Sequence, residues 1–383
     1  MLSLCQALLT TGSIVLISVA GLIGQSLAPL SSLITLPVAT QYIGLMAAAL
    51  PASFVMAKIG RKRGFALGNL IGILGAALCF LALGLSAFWT FTLGTFFLGV
   101  GFGFGTYYRF AAVEVAARGH QSKAISLFMS GGVLAAILGP NLAMVSQYWL
   151  PDNAFQGAFL GIGVVYCISL ITLKFIAMPD RLGPSTVFHA NPTLKILQYP
   201  GFFAAVLAGT VSYTVMTLLM TVTPMAMLRC GFEFSDSAVV IKWHVLGMFV
   251  PAFFTGHLIN LVGTRNTILL GGLLFVACIF VNYNGFTLWH FKSALLLLGV
   301  GWNFMFIGAT NLLTNSYLPE NKAKAQAINE LVIFGSATLT SLLSGWLEIS
   351  VGWKMLNVLM LPFIITVIWV FLTNGKELRR LAA

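Results

Sequence analysis

The feature that most restricts this chain is the recurrence of apolar stretches about 20 residues long, parted from one another by only short polar breaks. A helix needs about 20 residues to cross roughly 30 Å of hydrocarbon, and it satisfies its backbone polar groups internally where no water can reach them. Only 8% of the 383 residues are charged and 59% are hydrophobic. An ordinary soluble domain carries roughly 25% and 45–50%. These values exclude a water-soluble fold and predict an all-α polytopic membrane protein. Twelve helices are expected, at roughly 7–30, 34–57, 65–87, 89–110, 124–150, 156–178, 200–228, 236–262, 267–285, 293–316, 325–347 and 353–373. The first lacks the basic leader of a cleaved signal peptide and is expected to stay as helix 1.

The net charge of +11 raises the question of nucleic acid, but its distribution answers it. With the N-terminus on the cytoplasmic side, 16 of the 20 Lys and Arg residues fall inside, at 58–63, 109–123, 174–195, 265, 322–324 and 376–380. Arg229, Lys242, Lys292 and Lys354 fall near the other side. Asymmetry of this kind reports orientation. The chain is therefore read as a multi-pass inner-membrane protein with both termini cytoplasmic and no nucleic-acid partner. The five cysteines show no paired spacing and read as small apolar residues, with no disulfide and no metal site.

The twelve segments fall into two sets of six. Residues 179–199, with Pro179, Gly183, Pro184 and Pro192, are too polar and too proline-rich to span. They read as a cytoplasmic linker between residues 1–178 and 200–383. The sets resemble each other: Gly60, Gly68, Ala124, Ile125 and Gly132 recur 203 residues later as Gly263, Gly271, Ala327, Ile328 and Gly335. Leu98-Gly99-Val100-Gly101 recurs at Leu298 to Gly301, each run followed by an aromatic residue. Duplicated six-helix halves produce this pattern.

Between segments 2 and 3 the chain reads Ser53-Phe54-Val55-Met56-Ala57-Lys58-Ile59-Gly60-Arg61-Lys62. This resembles the G-x-L-A-D-R-x-G-R-R/K signature of the major facilitator superfamily. Lys58, Gly60, Arg61 and Lys62 match, whereas Ser53 replaces the leading glycine and Ala57 the aspartate that latches the halves. Gly139-Pro140 in segment 5 is similar to the family's antiporter motif, though Ala143-Met144 stands where two glycines are expected. Thr95 to Gly101 is similar to R-x-x-Q-G-x-G but lacks its Arg and Gln. The resemblance implies two six-helix bundles and a secondary transporter that moves a small organic solute by alternating access. The alternatives are an uncoupled facilitator and a membrane-embedded solute sensor. No nucleophile elbow, HExxH pair or Walker loop occurs, so an enzyme is not expected, and neither is a cofactor.

Nine acidic residues are present and none precedes Glu114. Glu330, one turn into segment 11, serves either to couple protons or to replace the missing latch acid. Glu114 with Arg118, and Glu320 with Lys324, are spaced i, i+4; the resemblance implies gate charges, and the alternative is solvated surface pairs. Lys242 and His244 sit at depth in segment 8, where the lysine either faces a cavity or snorkels, and the histidine either relays protons or bonds a neighbouring helix. Tyr107, Arg109, Asn303 and Asn311 complete the solute-binding candidates, each with anchoring or helix–helix hydrogen bonding as the other reading. Pro140 and Pro251 are expected to kink their helices. The partners expected are the solute, membrane lipid and, for a coupled carrier, protons; the chain is expected to be a monomer.

Overall fold

The structure is a computed structural model that describes residues 1–108, 111, 121–150, 155–176, 200–317 and 322–374. Its helices are α1 (Leu2–Leu27), α2 (Leu36–Ile59), α3 (Arg61–Gly84), α4 (Phe88–Gly105), α5 (Gln121–Ser146) and α6 (Gln156–Lys174). The second half has α7 (Pro200–Arg229), α8a (Phe234–Phe249), α8b (Ala252–Val262), α9 (Thr264–Asn284), α10 (Leu288–Thr314), α11 (Lys322–Val358) and α12 (Leu361–Thr373). Among the described residues, nine helical stretches are long and apolar enough to cross a membrane, and the α8a–α8b pair makes a tenth. One of the nine, 328–373, holds two crossings because the chain turns at Gly352, with φ 75° and ψ 167°. Gly131–Ser146 of α5 is a shorter apolar helix. Each of the twelve expected segments thus contains a helix, and the architecture is two six-helix bundles. Residues 177–199, which hold the expected linker, lie outside the described residues.

The ends of these helices were placed least well by the sequence. Segments 3 and 9 begin several residues early, at Arg61 and Thr264, because Gly60 and Gly263 each reverse the chain alone. Their backbones sit at φ 87°, ψ 154° and φ 84°, ψ 154°, a region that a side chain disfavours. The two turns also share their hydrogen bonds: Gly60 N–H to Met56, Gly263 N–H to Ile259, Gly64 N–H to Gly60 and Thr267 N–H to Gly263. These are the same contacts 203 residues apart.

Helix packing repeats in the same way. A Cβ on Gly44 would overlap the Phe96 carbonyl and one on Gly99 the Gln41 carbonyl, so α2 and α4 touch backbone to backbone. Gly247 against Leu296 and Gly299 against His244 do the same for α8a and α10. Small residues permit such approach, and dispersion between close backbones holds helices together where lipid removes the hydrophobic drive. Gly101 and Gly103 are likewise filled by neighbours, which accounts for the Gly-rich run of α4 as packing.

The halves meet through α1 with α7, α2 with α11, and α5 with α8a. Gly21 admits Met225, the Thr35 hydroxyl donates to the Leu342 carbonyl at 3.2 Å and accepts from the Gly345 N–H at 3.3 Å, and Gly132 receives the Phe249 ring. These contacts run from the middle of the helices toward the end that carries the 28–35 and 230–233 turns, called here the far end. The end that carries Gly60 and Gly263 is the basic end.

One buried acid escaped the sequence reading. Glu348 on α11 is 3% exposed, and Arg229 at the end of α7 places Nη1 2.9 Å from both of its oxygens. Arg229→Met would leave a desolvated carboxylate without its countercharge. A fully buried pair broken this way costs 3–5 kcal/mol, and since the Arg229 side chain is 45% exposed we expect about 2–3 kcal/mol. The Arg229→Met/Glu348→Met double variant should recover most of that loss, a difference that thermal melts in detergent will read.

Candidate functional site

The signature loop is built from helix ends. Lys62 and Arg265 lie in the first turns of α3 and α9, where the helix dipole disfavours a cation. Each donates instead to a carbonyl at the C-terminus of the last helix of its half: Lys62 Nζ to Lys174 at 3.0 Å and Arg265 Nε to Phe371 at 2.7 Å. Such carbonyls have no partner within their own helix. Arg61 donates to the Tyr107 carbonyl at 3.3 Å, beyond the end of α4. In the equivalent corner, Asn311 of α10 donates to the Thr264 hydroxyl at 2.8 Å. Lys58 is exposed in the last turn of α2. Arg109, Glu114, Arg118 and Glu320 lie outside the described residues, as does the side chain of Lys324. Glu330 is half-buried on α11.

The break between α8a and α8b, 45° across Val250–Pro251, follows from the missing proline N–H. Asn303 of α10 spans it. Its amide donates to the Met248 carbonyl at 2.6 Å, and its oxygen accepts from the Thr255 hydroxyl at 2.5 Å. Both groups of Asn303 are therefore engaged within the protein. His244 is fully buried with Nδ1 2.9 Å from the Leu295 carbonyl, a bond to the neighbouring helix, while Nε2 has no partner. α5 runs as one continuous helix through buried Pro140, and Gly139 lets it close on Ile14 of α1.

Lys242 differs from the other cations of the far side. Arg229 is paired with Glu348; Lys292 lies 4.8 Å and 4.9 Å from the Trp243 and Trp289 ring centres; and Lys354 lies 5.3 Å and 5.1 Å from those of Tyr283 and Phe286. Lys242 is half-buried and has no hydrogen-bond or ion-pair partner among the described residues. It lies seven residues before Phe249, two helical turns away on the face that meets α5.

Between the halves lies a group of rings that the sequence reading missed. Tyr213 of α7 meets Trp302 and Phe306 of α10 and Phe334 of α11 edge to face, with centroids 5.4, 5.1 and 5.6 Å away. Trp302 and Phe306 stack at 4.9 Å and 14°. All four lie near the middle of their helices; Trp302 is buried, and Tyr213, Phe306 and Phe334 are half-buried. All four rings belong to the second half, and Tyr213 and Phe334 pack against a hydrophobic cluster whose other members, Ala337 apart, come from the first half, which puts the group beside the interface. Trp302 Nε1, and the hydroxyl of Thr210 one turn before Tyr213 on α7, are buried without partners. Buried polar groups of this kind are rare in a finished core. With 31 Phe in the chain, aromatic count carried no signal; the i, i+4 spacing of Trp302 and Phe306 did.

The described solute candidates do not converge. Tyr107 and Asn311 sit at the basic end, Asn303 and His244 bond neighbouring helices, and Lys242 lies two turns before Phe249 on α8a. No group of three or more His, Cys, Asp or Glu able to hold a metal occurs among the described residues.

The fold has close relatives. The chain resembles, with a TM-score of 0.78 at 11% identity over 98% of its length and 96% of the other's, a POT family transporter solved in complex with 5-aminolevulinic acid. A bacterial homologue of the human lysosomal transporter Spinster, in inward-facing and unoccupied conformation, gives 0.77 at 12% identity over 100% and 97%. In sequence, the riboflavin transporter RfnT of Brucella anthropi is 37% identical over 369 residues, covering 96% of this chain and 93% of that protein. The family model of the Major Facilitator Superfamily matches residues 2–281 and again 205–382, the two matches beginning as far apart as the two glycine turns. From helices, duplicated turns and family match together, the chain belongs to the Major Facilitator Superfamily of membrane transporters.

Proposed function

We propose that the chain carries riboflavin, or a neutral flavin of the same tricyclic kind, by alternating access between residues 1–178 and 200–383 about the linker 179–199. Its setting is the inner membrane, with both termini cytoplasmic. The observation that carries this reading is the ring group at the interface. A flavin is a flat aromatic with hydrogen-bonding edges, and Tyr213, Trp302, Phe306 and Phe334 offer faces and edges to such a ring. The unpartnered Trp302 Nε1 offers a polar contact to its rim. The 37% identity to a protein named for riboflavin transport supports the same solute.

Lys242 supplies a donor to a flavin carbonyl when the halves rock, and Glu330 couples a proton or closes the gate at the basic end. The experiment is growth rescue of a riboflavin-requiring strain, with uptake measured before and after collapse of the proton gradient. It is paired with thermal shift of the purified protein, since a ligand that binds the folded state raises its melting temperature. Riboflavin should rescue growth and raise Tm, and Lys242→Ala should remove the shift while expression stays normal. Neither rescue nor shift would end the flavin reading. An unchanged shift in Lys242→Ala would remove that residue from the site, and uptake indifferent to the proton gradient would make the chain an uncoupled facilitator.

A further inference from the structure

An opening lies at the far end, away from the four rings. A cavity of about 410 Å³ sits where the ends of α1, α3 and α7 approach the start of α8a, with Ser26, Ser86, Phe155, Glu233, Phe234 and Ser237 on its wall. Cavities that hold small organic ligands begin at about 300 Å³. Phe155 comes from the first half and Phe234 from the second, and they meet edge to face, 5.1 Å apart at 76°. The cavity is therefore walled in part by an aromatic contact that any separation of the halves would break.

Ser86 adds a second observation. Its φ of 50° makes it the one non-glycine residue with positive φ among those described. It ends α3 where glycine is usual, with Ala87 N–H bonded back to the Ala82 carbonyl at 2.8 Å. Side chains kept in this conformation cluster at ligand sites, where the surroundings hold them against the strain.

The wall also sets the charge of what can enter. A free helix N-terminus attracts anions, but that of α8a is filled by its own carboxylates. Glu233 accepts from the third amide of the helix, and Asp236 accepts from the Glu233 N–H at 3.2 Å. The remaining polar groups on this wall are serine hydroxyls.

We propose that this cavity is an outer vestibule in which a neutral, flat aromatic solute rests on the Phe155–Phe234 pair before passing between the halves, and from which phosphorylated solutes are turned away. The proposal rests on the flavin reading only for the choice of probe. The test is made on the full chain with Cys167→Ser and Cys230→Ser, so that Ser26→Cys reports alone to a maleimide; Ser86→Cys serves as the second reporter should the first fail to fold.

Riboflavin at ten times its Kd should slow labelling about tenfold by mass action. Its phosphate ester at the same concentration should leave labelling unchanged, and Glu233→Gln should let the ester protect. Equal protection by ester and riboflavin would overturn the charge selection. If riboflavin is bound or carried while labelling stays unchanged, the vestibule is overturned and the flavin reading stands. If riboflavin is neither bound nor carried, the flavin reading falls, and neutral alloxazine decides the vestibule: protection by it sustains the proposal, and no protection ends it.

Discussion

Gly299→Val is expected to leave almost no folded protein, and Gly99→Val to do the same from the other half. At each position a Cβ would overlap a backbone carbonyl, that of His244 for Gly299 and that of Gln41 for Gly99. A flexible side chain can turn aside, but a carbonyl within a helix moves only with its helix. Overpacking against side chains costs about 1–3 kcal/mol. Displacing α8a from α10 along their line of contact costs more, and about 4 kcal/mol or above would consume much of the 5–15 kcal/mol that holds a typical protein folded. Gly335→Ala is the control: a Cβ there meets nothing within 4 Å, and alanine should raise helix stability by up to about 1 kcal/mol. The yield of monodisperse protein and its melting temperature in detergent read all three. Normal yield of Gly299→Val would mean that α8a and α10 do not pack backbone to backbone.

These glycines show what the sequence could and could not convey. The recurrence of Gly60 and Gly99 at Gly263 and Gly299 was legible, because identical turns and close approaches need the same residue in both halves. The helices were legible because hydrocarbon thickness fixes their length. What the run of apolar residues could not convey was which side chains face one another across it. Arg229 and Glu348 pair over 119 residues of separation, a contact that only the packed bundle brings about. Asn303 looked like a solute ligand because it is polar at depth, but its depth is where the α8a–α8b break exposes the Met248 carbonyl. The basic residues of the signature loop read as cytoplasmic charge by the positive-inside rule. Only the geometry reveals that Lys62 and Arg265 also hold the ends of α6 and α12. The four rings at the interface were hidden among many aromatics, spread over buried and exposed positions alike.

Trp302 offers the sharpest test of the proposed site, because its two substitutions should move stability and affinity differently. Trp302→Ala removes a ring that stacks on Phe306 and meets Tyr213. Stacking of a flat heterocycle on an aromatic side chain contributes about 1–3 kcal/mol, so riboflavin Kd should rise about 10- to 100-fold. The melting temperature should fall as well, since truncating a buried Trp costs about 3–5 kcal/mol. That double loss is what any core residue would show, and alone it says little about function. Trp302→Phe separates the two. It keeps most of the stack but deletes Nε1, a buried donor without a partner within the protein. An unsatisfied buried donor costs about 1–3 kcal/mol, so its removal should leave the melting temperature unchanged or higher. If Nε1 bonds the flavin rim, the same change should weaken riboflavin binding by about 1 kcal/mol or more, at least roughly fivefold in Kd. Flavin fluorescence quenching gives Kd, and thermal melts give stability. A rise in Kd beside an undiminished Tm would tie Trp302 to the solute, whereas unchanged Kd in both variants would remove the ring group from the transport path and leave it as packing between the halves.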